Sequence, residues 1–173
     1  MNAYEKRILL VDGYNMIAFW EETKRLFKTN QLDQARMILL NKLNNYAHFE
    51  KIEIICVFDA QFVPGVRQRY DQYLISVVFT KEDETADSYI ERLAAELNKS
   101  LTMVEVATSD LNEQWTIFSQ GALRVPAREL ERRVNTVKSD LDTMSKTIGN
   151  QKPKLRPFDQ DKMNQLKDLL KNL

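Results

Sequence analysis

The chain has 173 residues, 43% hydrophobic and 29% charged, and its 25 Lys and Arg balance 25 Asp and Glu. This is ordinary globular composition, long enough to bury the core of one domain with a helical extension, and four Gly and four Pro are too few for a fibrous or linker-rich chain. One cysteine excludes an internal disulfide framework, and one histidine argues against His-activated nucleophiles and His-rich zinc sites.

In chain order, the first element is the aliphatic run in "ILLVDGYN", residues 8–15. Four apolar residues without polar alternation, Ile8 to Val11, predict a strand buried on both faces, the habit of parallel sheets covered by helices. Asp12 follows at the carboxyl end, where open α/β sheets build their sites, and Gly13 allows a sharp turn or a close approach. The plain alternative is a strand-ending turn. Next, "LDQARMILLNKLNNYAHF" places Leu32, Ala35, Ile38, Leu39, Leu43 and Tyr46 on one face of an amphipathic helix. His48, late in that helix, reads as surface or packing. "IEIICVF" predicts a second strand, Ile52–Phe58, with Cys56 as a small core residue rather than a nucleophile.

Asp59 closes that strand and opens "DAQFVPGVRQRYDQY", which joins a Pro64-Gly65 turn to a patch of Arg67, Arg69, Tyr70 and Tyr73. A third strand is predicted over Leu74–Phe79, a helix over "ETADSYIERLAAELNK" and a fourth strand over Met103–Ala107. Strands alternating with such helices imply right-handed βαβ units around a parallel sheet. "LNEQWTIFSQG" predicts a short helix ended by Gly121. "ARELERRVNTVKSDLDTMSKTIG" predicts a longer one, with Leu130, Val134, Val137, Leu141 and Met144 as its apolar stripe. "NQKPKLRP" is a polar connector, and Asp159 caps a last helix carrying Met163, Leu166, Leu169 and Leu170. The expected division is a domain over residues 1–149 and a connector with terminal helix over 150–173. With no charged-then-apolar leader and no apolar run able to span a bilayer, a cytoplasmic protein with no membrane partner is expected.

Charge is balanced in total but not in place. Between Arg124 and Arg156 there are nine Lys and Arg against four Asp and Glu, so the rest of the chain is acidic. Each predicted strand end or following helix start carries an acid: Asp12, Asp59, Glu84 with Asp87, and Asp110. In a parallel sheet these positions share one edge. Crowded carboxylates repel and raise one another's pKa unless a cation sits among them. Lys81 alone stands beside them in sequence, so the natural counter-ion is a divalent cation, and an all-oxygen set suits Mg²⁺ or Mn²⁺. Such an ion bridges phosphate and activates water for in-line attack on a phosphodiester. The plain alternative is that these acids cap helices and turns. No G-x-G-x-x-G or P-loop lysine motif is present, and an aspartyl-phosphate phosphatase of the haloacid type would want an Asp where Tyr14 stands.

Together "LLVDGYNMI", "VFDA", "FTKEDETAD", "ATSDLNEQWTIFSQGA" and "AREL" resemble the YacP-like NYN-domain endoribonucleases, a branch of the PIN-like nucleases, from about Ile8 to Leu130. The resemblance implies a three-layer PIN-like α/β fold with a central, mainly parallel sheet and a C-terminal helical extension. It also implies metal-dependent cleavage of mRNA in association with the translating ribosome. Carried over by position, Asp12, Asp87 and Asp110 hold metal, Glu84 and Asp59 assist, and Asn15 and Ser109 position phosphate or water. Arg67, Arg69 and Tyr70, with Arg124, Arg128, Arg132 and Arg133, are the expected contacts to RNA backbone or ribosomal RNA. Two rivals stay open: a non-catalytic RNA- or ribosome-binding module of the same fold, and a nuclease acting mainly on DNA.

Overall fold

In the computed structural model of the protein, residues 5–62, 73–110 and 121–150 are described. The expected basic loop (Arg67, Arg69 and Tyr70), the short helix before Gly121, and the connector and last helix lie outside them. The chain divides into two compact units, Met1–Lys138 and Ser139–Leu173.

The first unit is built on five parallel strands, β1 (Lys6–Asp12), β2 (Glu53–Phe58), β3 (Ser76–Phe79), β4 (Thr102–Ala107) and β5 (Leu123–Val125), in the order β3-β2-β1-β4-β5. β1 lies at the centre because its aliphatic run satisfies both faces at once. Leu9 and Val11 enter one core cluster with Met16, Ile17, Leu39, Leu43, Leu130 and Val134, whereas Ile8 and Leu10 enter another with Ile90, Ala94, Val104 and Val106. Helices therefore cover both faces and the fold has three layers. Leu10 is wholly buried, and truncating such a side chain to Ala costs about 2–5 kcal/mol.

Five helices complete the described fold: α1 (Gly13–Phe19), α2 (Lys24–Lys28), α3 (Leu32–Glu50), α4 (Ala86–Leu97) and α5 (Ala127–Asn150). The periodic stretches behave as expected in α3 and α4. Two short helices and one strand depart from the sequence reading. Asp12 is followed by no loop: its carboxylate accepts the N–H of Asn15 at 3.4 Å and α1 begins at Gly13. Gly13 serves as a close approach, since a Cβ there would lie 2.3 Å from Phe58 Cε1. β5 is three residues long and, among the described residues, pairs only with β4, too short to announce itself by alternation. β3 begins at Ser76, and Leu74 is exposed.

Within the first unit, α5 buries Leu130, Val134 and Val137, and Trp20 Nε1 donates to the carbonyl of Ala127 at 3.0 Å. In the second unit its continuation exposes Leu141 and Met144, so the expected stripe is buried only in part. Among the described residues, no helix is long and apolar enough to cross a membrane.

Candidate functional site

Three carboxylates far apart in sequence meet at the carboxyl edge of the sheet. Asp12 ends β1, Asp59 follows β2 and Asp87 stands in the first turn of α4. All three line one cavity of about 380 Å³, with Tyr14, Asn15, Ala18, Phe27, Gln61, Phe62, Thr85 and Ala86. Each acid has its own local anchor. Asp12 is buried as the cap of α1. Asp59 accepts the N–H of Gln61 at 3.1 Å, and the turn behind it is fixed by Ala60 N–H donating to Thr80 Oγ1 at 3.1 Å. Asp87 is placed by Thr85, whose hydroxyl oxygen accepts the N–H of Ser88 and thereby sets where α4 starts.

That cap corrects the expectation for Glu84. It precedes the cap, so it does not share the first helical turn with Asp87. Its carboxylate pairs with Arg92 at 2.8 Å, and it is not part of the cavity lining. Arg92 is the cation that sequence proximity misses, because it reaches back from within α4. Asp110 is likewise outside the lining; its N–H donates to Thr108 Oγ1 at 3.1 Å.

Asn15 and Ser109 are brought together, though through the backbone. Ser109 N–H donates to Asn15 Oδ1 at 2.8 Å, and Ser109 Oγ accepts the N–H of Ala127 at 3.0 Å. The pair thus ties α1, the segment after β4 and the start of α5 into one frame around Asp12. Asn15 faces the cavity and Ser109 supports it from behind.

The donor set is all oxygen, which fits Mg²⁺ or Mn²⁺ in chemistry. Its spacing does not fit a three-carboxylate cage: among the described residues, no three His, Cys, Asp or Glu gather closely enough to hold one ion. The expected trio of Asp12, Asp87 and Asp110 therefore does not form a closed ligand group. One or two carboxylates completed by water and substrate phosphate are the usual Mg²⁺ arrangement, and that the cavity can offer.

Two buried groups near the acids were not legible as site features. Arg36 is 1% exposed on α3, pairs with Asp33, and donates from Nη1 to the Tyr14 hydroxyl at 2.8 Å. A buried guanidinium thus stands behind the aromatic wall of an acidic cavity. Cys56 is a core residue, as expected. Burial, and after it the charge of Asp12, pushes its thiol well above the ordinary value.

The basic residues of α5 are differently placed. Arg132 makes two-pronged contact with Glu129 at 2.8 Å. Arg133 bonds Glu105 and Glu129, each at 3.1 Å, and Glu105 also meets Arg7 at 3.5 Å. Hydrogen bonds from Arg132 and Arg133 hold the Glu129 carboxyl below its ordinary value. Arg124 is half-buried on β5, and Arg128 is exposed.

The YacP-like NYN domain family matches residues 9–171 of the chain. An uncharacterized protein YacP from Bacillus subtilis strain 168 is 47% identical over 146 residues, 84% of this chain and 85% of that relative. A crystal structure of Rae1 (YacP) from Bacillus subtilis superimposes with a TM-score of 0.74 at 43% identity, covering 95% of this chain and 91% of that one. A tryptophan-to-leucine mutant of the same protein gives a TM-score of 0.74 at 44% identity over 85% of this chain and 86% of its own.

Proposed function

Because the chain belongs to the YacP-like NYN domain family, a branch of the PIN-like nucleases, we propose that it is a metal-dependent endoribonuclease that cuts mRNA on the translating ribosome. The observation that carries this reading is the convergence of Asp12, Asp59 and Asp87 on one cavity at the sheet's carboxyl edge. The parallel sheet brings these acids to one edge, and their sharing a single cavity there supports a common ligand.

Asp12 and Asp87 would hold Mg²⁺ or Mn²⁺. When bound, the ion supplies neutralisation of phosphate charge and a lowered pKa for its water. Asp59, fixed by Gln61, orients the attacking water. Asn15 has its carbonyl oxygen engaged by Ser109, so its NH₂ group is the donor it offers a phosphate oxygen. Water attacks phosphorus, the bond to the leaving ribose oxygen breaks, and that oxygen takes a proton. Asp110 and Ser109 belong to the supporting segment. Arg128 is an exposed cation on α5 suited to RNA or ribosomal backbone; Arg132 and Arg133 would first have to leave their carboxylates.

A non-catalytic RNA- or ribosome-binding module is the second reading, favoured by the lack of a three-carboxylate group among the described residues. Cleavage of an mRNA in a translation reaction, with and without ribosomes, by wild type and Asp87→Asn separates the two. Wild type should cut in Mg²⁺ or Mn²⁺, more with ribosomes present, and Asp87→Asn should not. Ribosome binding without cutting by wild type would install the second reading, and preferential cutting of a DNA strand would change the substrate.

A further inference from the structure

The cavity lining combines the acids with aromatic rings. The rings are those of Tyr14, Phe27 and Phe62. Phe62 is the last residue of the 3₁₀ turn Ala60–Phe62 that directly follows Asp59, and 38% of it is exposed. It does not hang loose. Its ring lies 4.9 Å from that of Tyr14, Tyr14 lies 5.0 Å edge-on from Phe58, and Phe58 stacks on Phe79 at 5.5 Å. This ladder runs from the sheet core to the cavity wall, and Arg36 fixes the Tyr14 hydroxyl. Phe62 is thus a ring packed against buried rings on one side, with its exposed part fronting the cavity.

We infer that Phe62 is a base-stacking platform that positions the strand at this site by the face of one base. The inference rests on the nuclease reading above and gives it a positioning residue. A flat apolar ring beside carboxylates that would hold a divalent cation suits a partner with a flat apolar face on a phosphate-bearing chain, the phosphate meeting the cation and not the acids. An apolar peptide or lipid tail would gain from Phe62 but would bring nothing to Asp12, Asp59 and Asp87. In a duplex both faces of each base are already covered by neighbours, so pairing must be given up before a base can reach the ring. The cavity volume of about 380 Å³ sits at the low end of the ~300–1,000 Å³ of small-ligand clefts. That space is large enough to receive a base. Gln61 stands beside Phe62 in the lining.

The test compares a strand that has bases with one that lacks them. Binding of full-length wild type, Phe62→Leu and Phe62→Tyr is measured in Ca²⁺ by anisotropy of labelled oligoadenylate and of an abasic strand of equal length. Stacking on an aromatic side chain gives an expected loss of roughly 5- to 150-fold for Phe62→Leu on oligoadenylate. Affinity for the abasic strand should be unchanged, and Phe62→Tyr should bind both like wild type. An equal loss on both strands, or no loss on either, overturns the platform. Wild type that binds neither strand and also fails to cut translated mRNA in Mg²⁺ or Mn²⁺ with ribosomes present would instead remove the nuclease reading beneath it.

Discussion

The cavity at the sheet edge and the exposed face of α5 are both charged regions, and they treat charge in opposite ways. Asp12, Asp59 and Asp87, one sign of charge, are drawn into a shared cavity from three separate elements. On α5, the cations Arg132 and Arg133 are interleaved with Glu129, and Arg133 reaches Glu105, so part of the positive surplus is engaged within the chain. A count of charges along a sequence therefore overstates what a helix face offers a partner. Convergence of like charges is the costlier arrangement, and it is the one that asks for a ligand.

The largest effect should come from breaking the convergent side. Asp12→Asn or Asp87→Asn is expected to lower RNA cleavage by more than about a hundredfold, because even outer partners of a metal ligand cost roughly 10–100-fold when lost. Circular dichroism and melting should show a folded protein, no less stable than wild type, since a like charge has been removed. Undiminished cutting by both variants would end the metal-site reading.

Thermal melts in metal probe the same region without substrate. Mn²⁺ or Mg²⁺ at about one hundred times its dissociation constant stabilises by ~2.7 kcal/mol. The rise in melting temperature should shrink in Asp87→Asn and persist in Arg128→Gln. A rise of equal size in Asp87→Asn would place the ion elsewhere.

On α5 the two neighbouring arginines should part company. Arg133→Met leaves the buried Glu105 with Arg7 at 3.5 Å as its remaining ion-pair partner, and should cost about 1–3 kcal/mol in denaturant unfolding. Arg132→Met removes a pair from a largely exposed side chain, and should cost less than about 1 kcal/mol. Equal losses would mean that Glu105 does not depend on Arg133. For ribosome or RNA binding the order changes. Arg128→Gln should lower the slope of log affinity against log salt by about one, and Arg132→Gln by less, because its charge is already engaged. Identical slopes for wild type and Arg128→Gln would make this face a scaffold.

The smallest effect concerns pH. The Cys56 thiol is raised well above 9.0 by burial and, second, by Asp12. A raised folded value means the native state keeps a proton that the unfolded chain gives up. Stability is therefore full below about pH 9 and declines as pH climbs toward the folded value. Cys56→Ala should make melts between about pH 8 and pH 10 less steeply pH-dependent than wild type, and an unchanged pH dependence would show that the thiol ionises alike in both states.

The sequence by itself determined the parts set by local period and composition. The unbroken aliphatic run from Ile8 to Val11 required a strand covered on both faces, and the three- and four-residue spacing in α3 and α4 required helices, since each pattern buries its apolar atoms in only one way. The acid after each strand then placed Asp12 and Asp59 at one edge, because parallel strands all end on the same side. What the tertiary structure alone decided depends on distance across the chain. Thr85 set the start of α4 and so separated Glu84 from Asp87, and Arg92 claimed Glu84. Arg36 was buried against Tyr14, β5 found its edge beside β4, and Glu105 met Arg133 across 28 positions. Residue spacing carries no information about such pairings: a hydrogen bond or ion pair forms wherever packing brings its two atoms within about 3 Å, and packing is a property of the whole fold.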